Sequence, residues 1–255
     1  MDYLEPEQGR DLEGMRLALT RDVPAPYSMS ARAIFDHHKI DFHAIAQKGG
    51  GTNDSLVEWT RHRNAPIALY NDESPRTGWL DILNLAERLG KGPSLVPDNI
   101  DDRMTMMALT NELIGENGLV WQMRILMLGL GGPERAAKEA SRNPMYQDYG
   151  YSEEAKAGAT ERAQSILLKV SNQLSQQYEE DESAFFVSSH LTALDIYWVY
   201  FSQLINTLPE ETCPTPGYLR KSYDAAGAIL GGCDPLLISH RDRILENHLA
   251  CPMTF

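Results

Sequence analysis

The sequence predicts an α/β domain followed by an all-helical domain. Strand-like apolar runs alternate with stretches of helical spacing only before residue 90, in the order β-α-β-α-β-α that is typical of small α/β domains. Beyond residue 100 the strand signals vanish, and long helical segments separated by Gly, Pro or charge clusters replace them. The predicted strands are 15–21, 41–46 and one starting at 67, and the predicted helices of this part are 28–38, 54–59 and 78–88.

Changes in composition divide the chain into four parts. Residues 1–14 are polar and are predicted to form a loose tail, and residues 15–90 form the α/β domain. The segment 91–100 carries Gly and Pro and is predicted to be a linker. Residues 101–255 form the helical domain, with helices predicted at 101–128, 153–178, 192–206, 218–230 and 236–249.

The composition is that of an acidic globular protein. Apolar residues make up 42% of the 255 residues and charged residues 23%, and the formal net charge is −13. This negative charge argues against nucleic acid or an anionic membrane as the main partner, and no apolar run reaches the length of a membrane span. Cys213, Cys233 and Cys251 form an odd set in the last quarter, which favours a reducing cytoplasm.

The stretch around Pro66 carries the strongest functional signal. Pro66 precedes the apolar strand that starts at Ile67, and a proline there cannot donate to the sheet ladder, which leaves the backbone of Ala65 available to an extended peptide. A polar turn then brings Thr77 to the start of the next predicted helix, where unpaired N–H groups and the helix dipole favour an anion. Together these features predict the capture of a small acidic peptide.

A second local signal lies in the helical domain. Thr192 and Asp195 have the spacing of a capping box, in which the first side chain caps the helix and the second reaches back to the N–H of the cap residue. The pattern predicts a helix that begins directly after Thr192 and a folding role for both side chains.

Three sequence motifs follow one another in an order that is typical of one known family. They are the loop and helix start 24–32 (PAPYSMSAR), the strand start at Ala65-Pro66-Ile67 with the helix start 77–82 (TGWLDI), and the capping box 192–195 (TALD). In these motifs the chain resembles the cytosolic glutathione transferase (GST) superfamily, and in particular its bacterial-type members. The resemblance implies a thioredoxin-like domain followed by a GST-type helical domain, in a homodimer.

The same resemblance implies a ligand and its contacts. Glutathione would pair its cysteine moiety with the backbone of Ala65, ahead of a cis Pro66. Its γ-glutamyl group would lie at the turn formed by Thr77, Gly78 and Trp79. Glutathione would act as a co-substrate, and no metal would be needed.

The chain departs from the family at two functional positions. In relatives the turn commonly reads Glu-Ser or Asp-Ser, with an acid for the amino group of the ligand and a hydroxyl for its carboxylate, whereas here it reads Gly78-Trp79. The residue that activates the thiol often precedes the loop proline, and Ala25 stands in that place. Ser28 at the helix start is the best remaining hydroxyl for the glutathione sulfur. Tyr27 is the alternative donor, and a plain N-cap is the structural alternative for Ser28.

The first long helix of the helical domain is the candidate for the acceptor site. Relatives bind the electrophilic co-substrate beside this helix, and here polar residues interrupt it among methionines, whose flexible side chains suit varied apolar ligands. Helix–helix packing is the alternative interpretation of the same pattern. The acceptor-site candidates are Met107, Asn111, Glu112 and Ile114.

Two other clusters are interpreted as structural. His37, His38 and His43 gather near the end of the first helix, but they do not converge as metal ligation requires, so the sequence predicts a solvated face and no metal site. Asp234 and His240 lack the neighbours that a nucleophile needs, and surface or capping roles are predicted for them.

Two functions fit the sequence. One is a glutathione transferase that conjugates glutathione to, or transfers it from, a small hydrophobic electrophile. The other is a non-catalytic binding or regulatory relative that kept the fold and lost the thiol activator. The intact Pro66 region favours the first, while Ala25 and Gly78 favour the second, and we favour the enzyme.

Overall fold

The computed structural model describes residues 1–180 and 185–255, which form two compact units. The first unit comprises residues 1–94 together with 252–255, and the second comprises residues 95–251. The first is α/β and the second is helical, so the predicted fold class is confirmed. The last four residues, predicted to belong to the helical domain, lie instead with the first unit, where Arg32 Nη1 donates to the Thr254 carbonyl at 2.7 Å.

A mixed sheet forms the centre of the first unit. Its strands are β1 (Met15–Thr20), β2 (His43–Gln47) and β3 (Ile67–Tyr70), in the order β2-β1-β3 among the described residues. β1 is parallel to β2, with Thr20 opposite Gln47, and antiparallel to β3, with Ala18 opposite Ile67. Because parallel strands point the same way, the carboxyl ends of β1 and β2 meet at one end of the sheet.

Helices cover this sheet. They are α1 (Pro6–Arg10), α2 (Pro26–His37), α3 (Asp54–Thr60) and α4 (Trp79–Leu89). α2 packs on β1 and on α4, and α1 packs on α3 and on β2. The alternation along β1 directs Ala18 to the face where Leu56 of α3 is buried with Ile45 and Ile67.

The first fourteen residues are not a loose tail. The N–H of Leu4 donates to the Ala44 carbonyl at 2.9 Å, and the Leu4 carbonyl accepts from the Ala46 N–H at 2.8 Å. Gly9 of α1 lies so close to β2 that a Cβ there would come within 2.3 Å of Ile45 Cδ1. The segment is polar in sequence, yet it covers the edge of β2, and this contact gives it order.

The histidines at the end of α2 do not form a solvated face. His38 is 2% exposed, and its Nε2 lies 3.0 Å from Glu87 Oε1 on α4. Gly90 permits this packing, since a Cβ there would come within 2.5 Å of the His38 side chain. The His37 ring contacts a backbone carbonyl at 2.9 Å, whereas His43 is exposed. Within the described ranges, no group of three or more His, Cys, Asp or Glu side chains is arranged to hold a metal.

The second unit is built around one buried helix. Its helices are α5 (Ile100–Ile114), α6 (Leu119–Leu128), α7 (Pro133–Ala140), α8 (Met145–Asp148), α9 (Glu153–Glu180), α10 (Ala193–Phe201), α11 (Gly217–Leu230) and α12 (Pro235–His248). Every residue of α10 is buried, which marks it as the core helix of the unit. No helix among the described residues is long and apolar enough to cross a membrane.

The predicted helix 101–128 is two helices, α5 and α6. The backbone turns between them at Gly115 and Gly118, where an added Cβ would come within 2.6 Å of the Asn111 and Glu112 carbonyls respectively. Side chains at these positions would collide with the preceding turn, so the glycines set the break. The sequence-based prediction also missed the short helices α7 and α8, which follow α6.

The capping box at Thr192 is confirmed, and it is larger than the sequence pattern indicates. Asp195 Oδ2 accepts from the Thr192 N–H at 2.9 Å, and Asp195 Oδ1 accepts from the Phe186 N–H at 3.0 Å. His240 Nε2 lies 2.9 Å from the same Oδ1, and Arg243 Nη2 lies 3.1 Å from His240 Nδ1. Since Arg243 can only donate, Nδ1 accepts and Nε2 carries the proton. Of the surface or capping roles predicted for His240 and Asp234, a surface role is wrong for His240, because the residue is fully buried against the cap. The capping role is confirmed for Asp234, whose Oδ1 accepts from the Leu236 N–H at 2.9 Å at the start of α12.

Candidate functional site

The peptide edge predicted beside Pro66 is present in the first unit. The Ala65–Pro66 peptide bond is cis, and β3 begins directly after it at Ile67. On the outer edge of β3, Ala68 and Arg76 exchange two hydrogen bonds of 2.9 Å. The N–H and C=O of Ala65, by contrast, have no hydrogen-bond partner in the part of the chain that the structure describes. An extended peptide can therefore pair with Ala65 without displacing a protein strand.

The turn at Thr77 leads into the N-terminus of α4. Gly78 is the N-cap residue, with extended backbone (φ −75°, ψ 144°), and as a glycine it supplies no side-chain cap to this helix end. Thr77 and Gly78 are exposed and Trp79 is half-buried. Asp81 Oδ2 lies 3.1 Å from the position that a Cβ on Gly78 would occupy. The turn thus brings the N-terminus of a helix, which favours an anion, close to the carboxylate of Asp81, which can receive an ammonium group.

Ser28 faces the sheet rather than solvent. α2 begins at Pro26 with Ala25 as its N-cap, so Ser28 is the third residue of the helix and not the cap. Its Oγ accepts from the Thr20 N–H at 2.9 Å and donates to Thr20 Oγ1 at 3.2 Å, and the residue is 3% exposed. Tyr27, the alternative donor, is half-buried. The Ser28 hydroxyl therefore holds the first turn of α2 on the end of β1.

The hydrogen bonds continue from Ser28 through residues that the sequence-based prediction did not select. Thr20 Oγ1 donates to Gln47 Oε1 at 2.8 Å, and Gln47 Nε2 donates to the carbonyls of Lys48 at 3.0 Å and Arg63 at 3.2 Å. Asn53 Nδ2 donates to the same two carbonyls at 3.0 and 3.3 Å. One sequence signal was available, because the strands predicted at 15–21 and 41–46 end in or beside a polar residue. The structure makes these two strands parallel, so their carboxyl ends meet at one end of the sheet.

Basic residues lie in the segments that these hydrogen bonds join. Lys48 and Arg61 are exposed and Arg63 is half-buried. Arg61 and Arg63 precede Ala65 by four and two residues, so they place positive charge near the peptide edge of a chain whose net charge is −13. A local positive region of this kind favours an anionic ligand on an otherwise acidic protein.

The four acceptor-site candidates on α5 have different environments. Met107 is half-buried and Asn111 is exposed. Ile114 is 2% exposed, and Glu112 Oε2 accepts from Arg162 Nη2 of α9 at 2.5 Å. Ile114 and Glu112 thus have contacts within the second unit, and all four residues stay predictions for the acceptor site.

The sequence matches no protein-family model and no curated protein. Solved structures that resemble it include a glutathione S-transferase from Methylobacterium radiotolerans in complex with glutathione sulfonate, with a TM-score of 0.60 and 17% identity over 91% of each chain. A glutathione S-transferase domain-containing protein from Marinobacter aquaeolei has a TM-score of 0.61 and 14% identity over 91% of this chain and 98% of its own. The yeast prion protein Ure2p in complex with glutathione has a TM-score of 0.54 and 14% identity over 90% of this chain and 98% of its own. The chain therefore has the GST fold, as the sequence motifs implied.

Proposed function

We propose that this chain binds glutathione in its first unit and transfers it to, or from, a small hydrophobic electrophile. The observation that carries the proposal is the unpaired backbone of Ala65 beside Pro66, in a chain with the GST fold. Backbone pairing at this edge gives affinity for an extended tripeptide without requiring a particular protein side chain.

The proposed binding mode matches the charges of glutathione, which has two carboxylates and one ammonium group. The cysteine moiety pairs with Ala65, and the γ-glutamyl carboxylate meets the N-terminus of α4 at Gly78 and Trp79. Asp81 receives the ammonium group, in place of the acid that relatives carry in the turn. A charged hydrogen bond of this kind contributes about 1.5–3 kcal/mol. Basic residues near the edge, Arg63 among them, attract the second carboxylate.

The proposed chemistry begins with the glutathione thiol at the first turn of α2. The positive end of the helix dipole lowers the pKa of a thiol placed there, so more of it is present as the nucleophilic thiolate. Because the Ser28 hydroxyl is bound to Thr20, we assign Ser28 the role of holding this turn, and the backbone of the turn the role of stabilising sulfur, with Tyr27 as an additional donor. The thiolate then attacks the electrophilic carbon of an acceptor, and the leaving group of the acceptor departs with the bonding electrons. Met107, Asn111, Glu112 and Ile114 of α5 are the proposed contacts for the acceptor.

Calorimetric titration with glutathione tests the binding step. We expect saturable binding that weakens about tenfold in an Asp81→Asn variant, because the ammonium loses its charged partner. Asp72→Asn is the matched control, since Asp72 is an exposed carboxylate in the turn after β3. Absence of binding at millimolar glutathione would refute the proposal.

A second candidate function is a glutathione-binding protein without transferase activity. The inward hydrogen bonds of Ser28 favour it, together with the apolar Ala25 at the N-cap of α2. Turnover of a chromogenic electrophile separates the two functions. A chain that binds glutathione, shows no turnover and leaves the thiol pKa at its value in free glutathione is a binding protein.

We further propose that the protein works in the cytoplasm as a homodimer. Cys213, Cys233 and Cys251 carry free thiols in the described structure, which supports a reducing compartment. The homodimer rests on the resemblance alone, and sedimentation at several protein concentrations tests it.

A further inference from the structure

Three buried side chains form a continuous hydrogen-bond chain at the carboxyl ends of β1 and β2. Ser28, Thr20 and Gln47 are 3%, 8% and 3% exposed. Ser28 donates to Thr20 at 3.2 Å, Thr20 donates to Gln47 Oε1 at 2.8 Å, and Gln47 Nε2 donates to the Arg63 carbonyl at 3.2 Å. We call these three side chains and the Arg63 carbonyl the relay.

The backbone carbonyls at the end of the relay fix the direction of every hydrogen bond in it. Gln47 Nε2 faces two carbonyls, those of Lys48 and Arg63, which can only accept. A flipped amide would set its oxygen against both carbonyls, so Oε1 must face Thr20. Thr20 then uses its single proton on Oε1, and Ser28 must donate to Thr20. No member can reverse without leaving a buried polar group unpaired, and such networks hold their geometry firmly.

The two ends of the relay lie at the two proposed contacts for glutathione. Ser28 is in the first turn of α2, to which we assigned the thiol. Arg63 is two residues before Ala65, to which we assigned the peptide backbone. The relay therefore joins the segment that holds the peptide to the turn that stabilises its sulfur, through the side chains of Gln47, Thr20 and Ser28.

We propose that Gln47 is a positioning residue for bound glutathione. It touches no ligand atom, and it sets the spacing between the Ala65 edge and the first turn of α2, so that a peptide paired at Ala65 delivers its thiol to the helix N-terminus. This inference rests on the proposed glutathione site. Asn53 also donates to the Arg63 carbonyl, so the loop keeps one anchor when Gln47 is replaced.

A Gln47→Met variant tests the proposal, because it keeps the length of the side chain and removes both polar ends. We expect calorimetry to give about tenfold weaker glutathione binding. We also expect the pKa of the bound thiol, followed by the ultraviolet absorbance of the thiolate, to rise toward that of free glutathione. Ser202→Ala is the control for lost stability, since it removes a buried hydroxyl that donates to the Val199 carbonyl at 3.1 Å in the second unit. Ser202→Ala should change neither the affinity for glutathione nor the pKa of the bound thiol.

Three further substitutions test the hydrogen bonds of the relay itself. In Gln47→Glu the carboxylate faces two carbonyls, and protonation restores one donor, so its affinity relative to wild type should recover as the pH falls. Thr20→Val interrupts the relay without changing shape, and Thr20→Ser keeps the hydroxyl. We expect Thr20→Val to behave like Gln47→Met, and Thr20→Ser to behave like wild type. This pair of variants tests the proposal if Gln47→Met does not fold.

The outcomes separate this inference from the function on which it rests. Wild-type affinity and wild-type thiol pKa in folded Gln47→Met or Thr20→Val would overturn the positioning role and leave the glutathione site standing. A wild-type chain that binds no glutathione would overturn both.

Discussion

Replacing Ser28 by alanine distinguishes a structural from a chemical role for this hydroxyl. The substitution leaves the buried Thr20 N–H without its acceptor, which costs about 1–3 kcal/mol, and removes one hydroxyl–hydroxyl bond, which contributes about 0.5–1.5 kcal/mol. The two terms share Thr20 and are not fully additive, so we expect a loss of roughly 2–3 kcal/mol. At about 2–4 °C per kcal/mol for a chain of this size, the melting temperature should fall by roughly 5–10 °C.

The assay compares Ser28→Ala with Ser30→Ala. Ser30 is a matched control on the same helix and is 1% exposed. Its hydroxyl donates to the Tyr27 carbonyl at 3.1 Å and accepts no buried N–H among the described residues. We expect Ser30→Ala to lose less than about 1 kcal/mol. Amide hydrogen exchange adds a local measure, because the Thr20 N–H should exchange faster in Ser28→Ala alone.

Turnover shows whether the Ser28 hydroxyl acts on the ligand or only on Thr20. If Ser28 is structural, the rate of folded Ser28→Ala with an electrophile should fall no further than that of Thr20→Val, which also removes the hydrogen bond between the two hydroxyls. A Ser28→Ala protein that melts like wild type and has lost turnover would refute the reasoning, since the hydroxyl would then act on the ligand rather than on Thr20.

The other predictions concern the second unit. Asp195→Ala should lower the free energy of unfolding in denaturant by more than about 3 kcal/mol, because it leaves several buried donors unpaired. Thr192→Ala should lower it by about 0.5–2 kcal/mol. Equal losses in the two variants would contradict the extended cap. Burial, followed by the charge of Asp234, raises the pKa of the Cys233 thiol from about 9 to about 11. The folded state then holds a proton that the unfolded state loses, so the free energy of unfolding should fall as the pH rises across this range, and less so in Cys233→Ser. Alkylation near neutral pH should reach the exposed Cys251 before Cys233, and the reverse order by mass spectrometry would argue against this assignment.

Local patterns predicted the elements that local physics controls. The strand predicted at 15–21 is Met15–Thr20, and the helix predicted to follow Thr192 begins at Ala193. Alternation and capping depend on residues a few positions apart, so one sequence contains the whole signal. The edge at Ala65 belongs to this group, because the proline next to it limits pairing whatever the rest of the chain does.

Long-range contacts were not predictable in the same way. His240 contacts Asp195 across 45 positions, and His38 contacts Glu87 across 49. Nothing near either histidine in sequence distinguishes a buried hydrogen-bonded ring from a solvated one, since the partner and the burial both come from the packing of another helix. Gln47 was missed for the same reason: its amide joins segments that only the finished sheet brings together.

The hydrogen bond between Arg32 and Thr254 spans 222 positions, and it bears on the order in which the protein is made. The ribosome produces the first 94 residues early, and N-terminal domains generally fold first during synthesis. This unit nevertheless lacks its last partner for α2 until the entire helical unit has been translated. A fragment cut after residue 94 would therefore be a different folding unit from the one in the full chain.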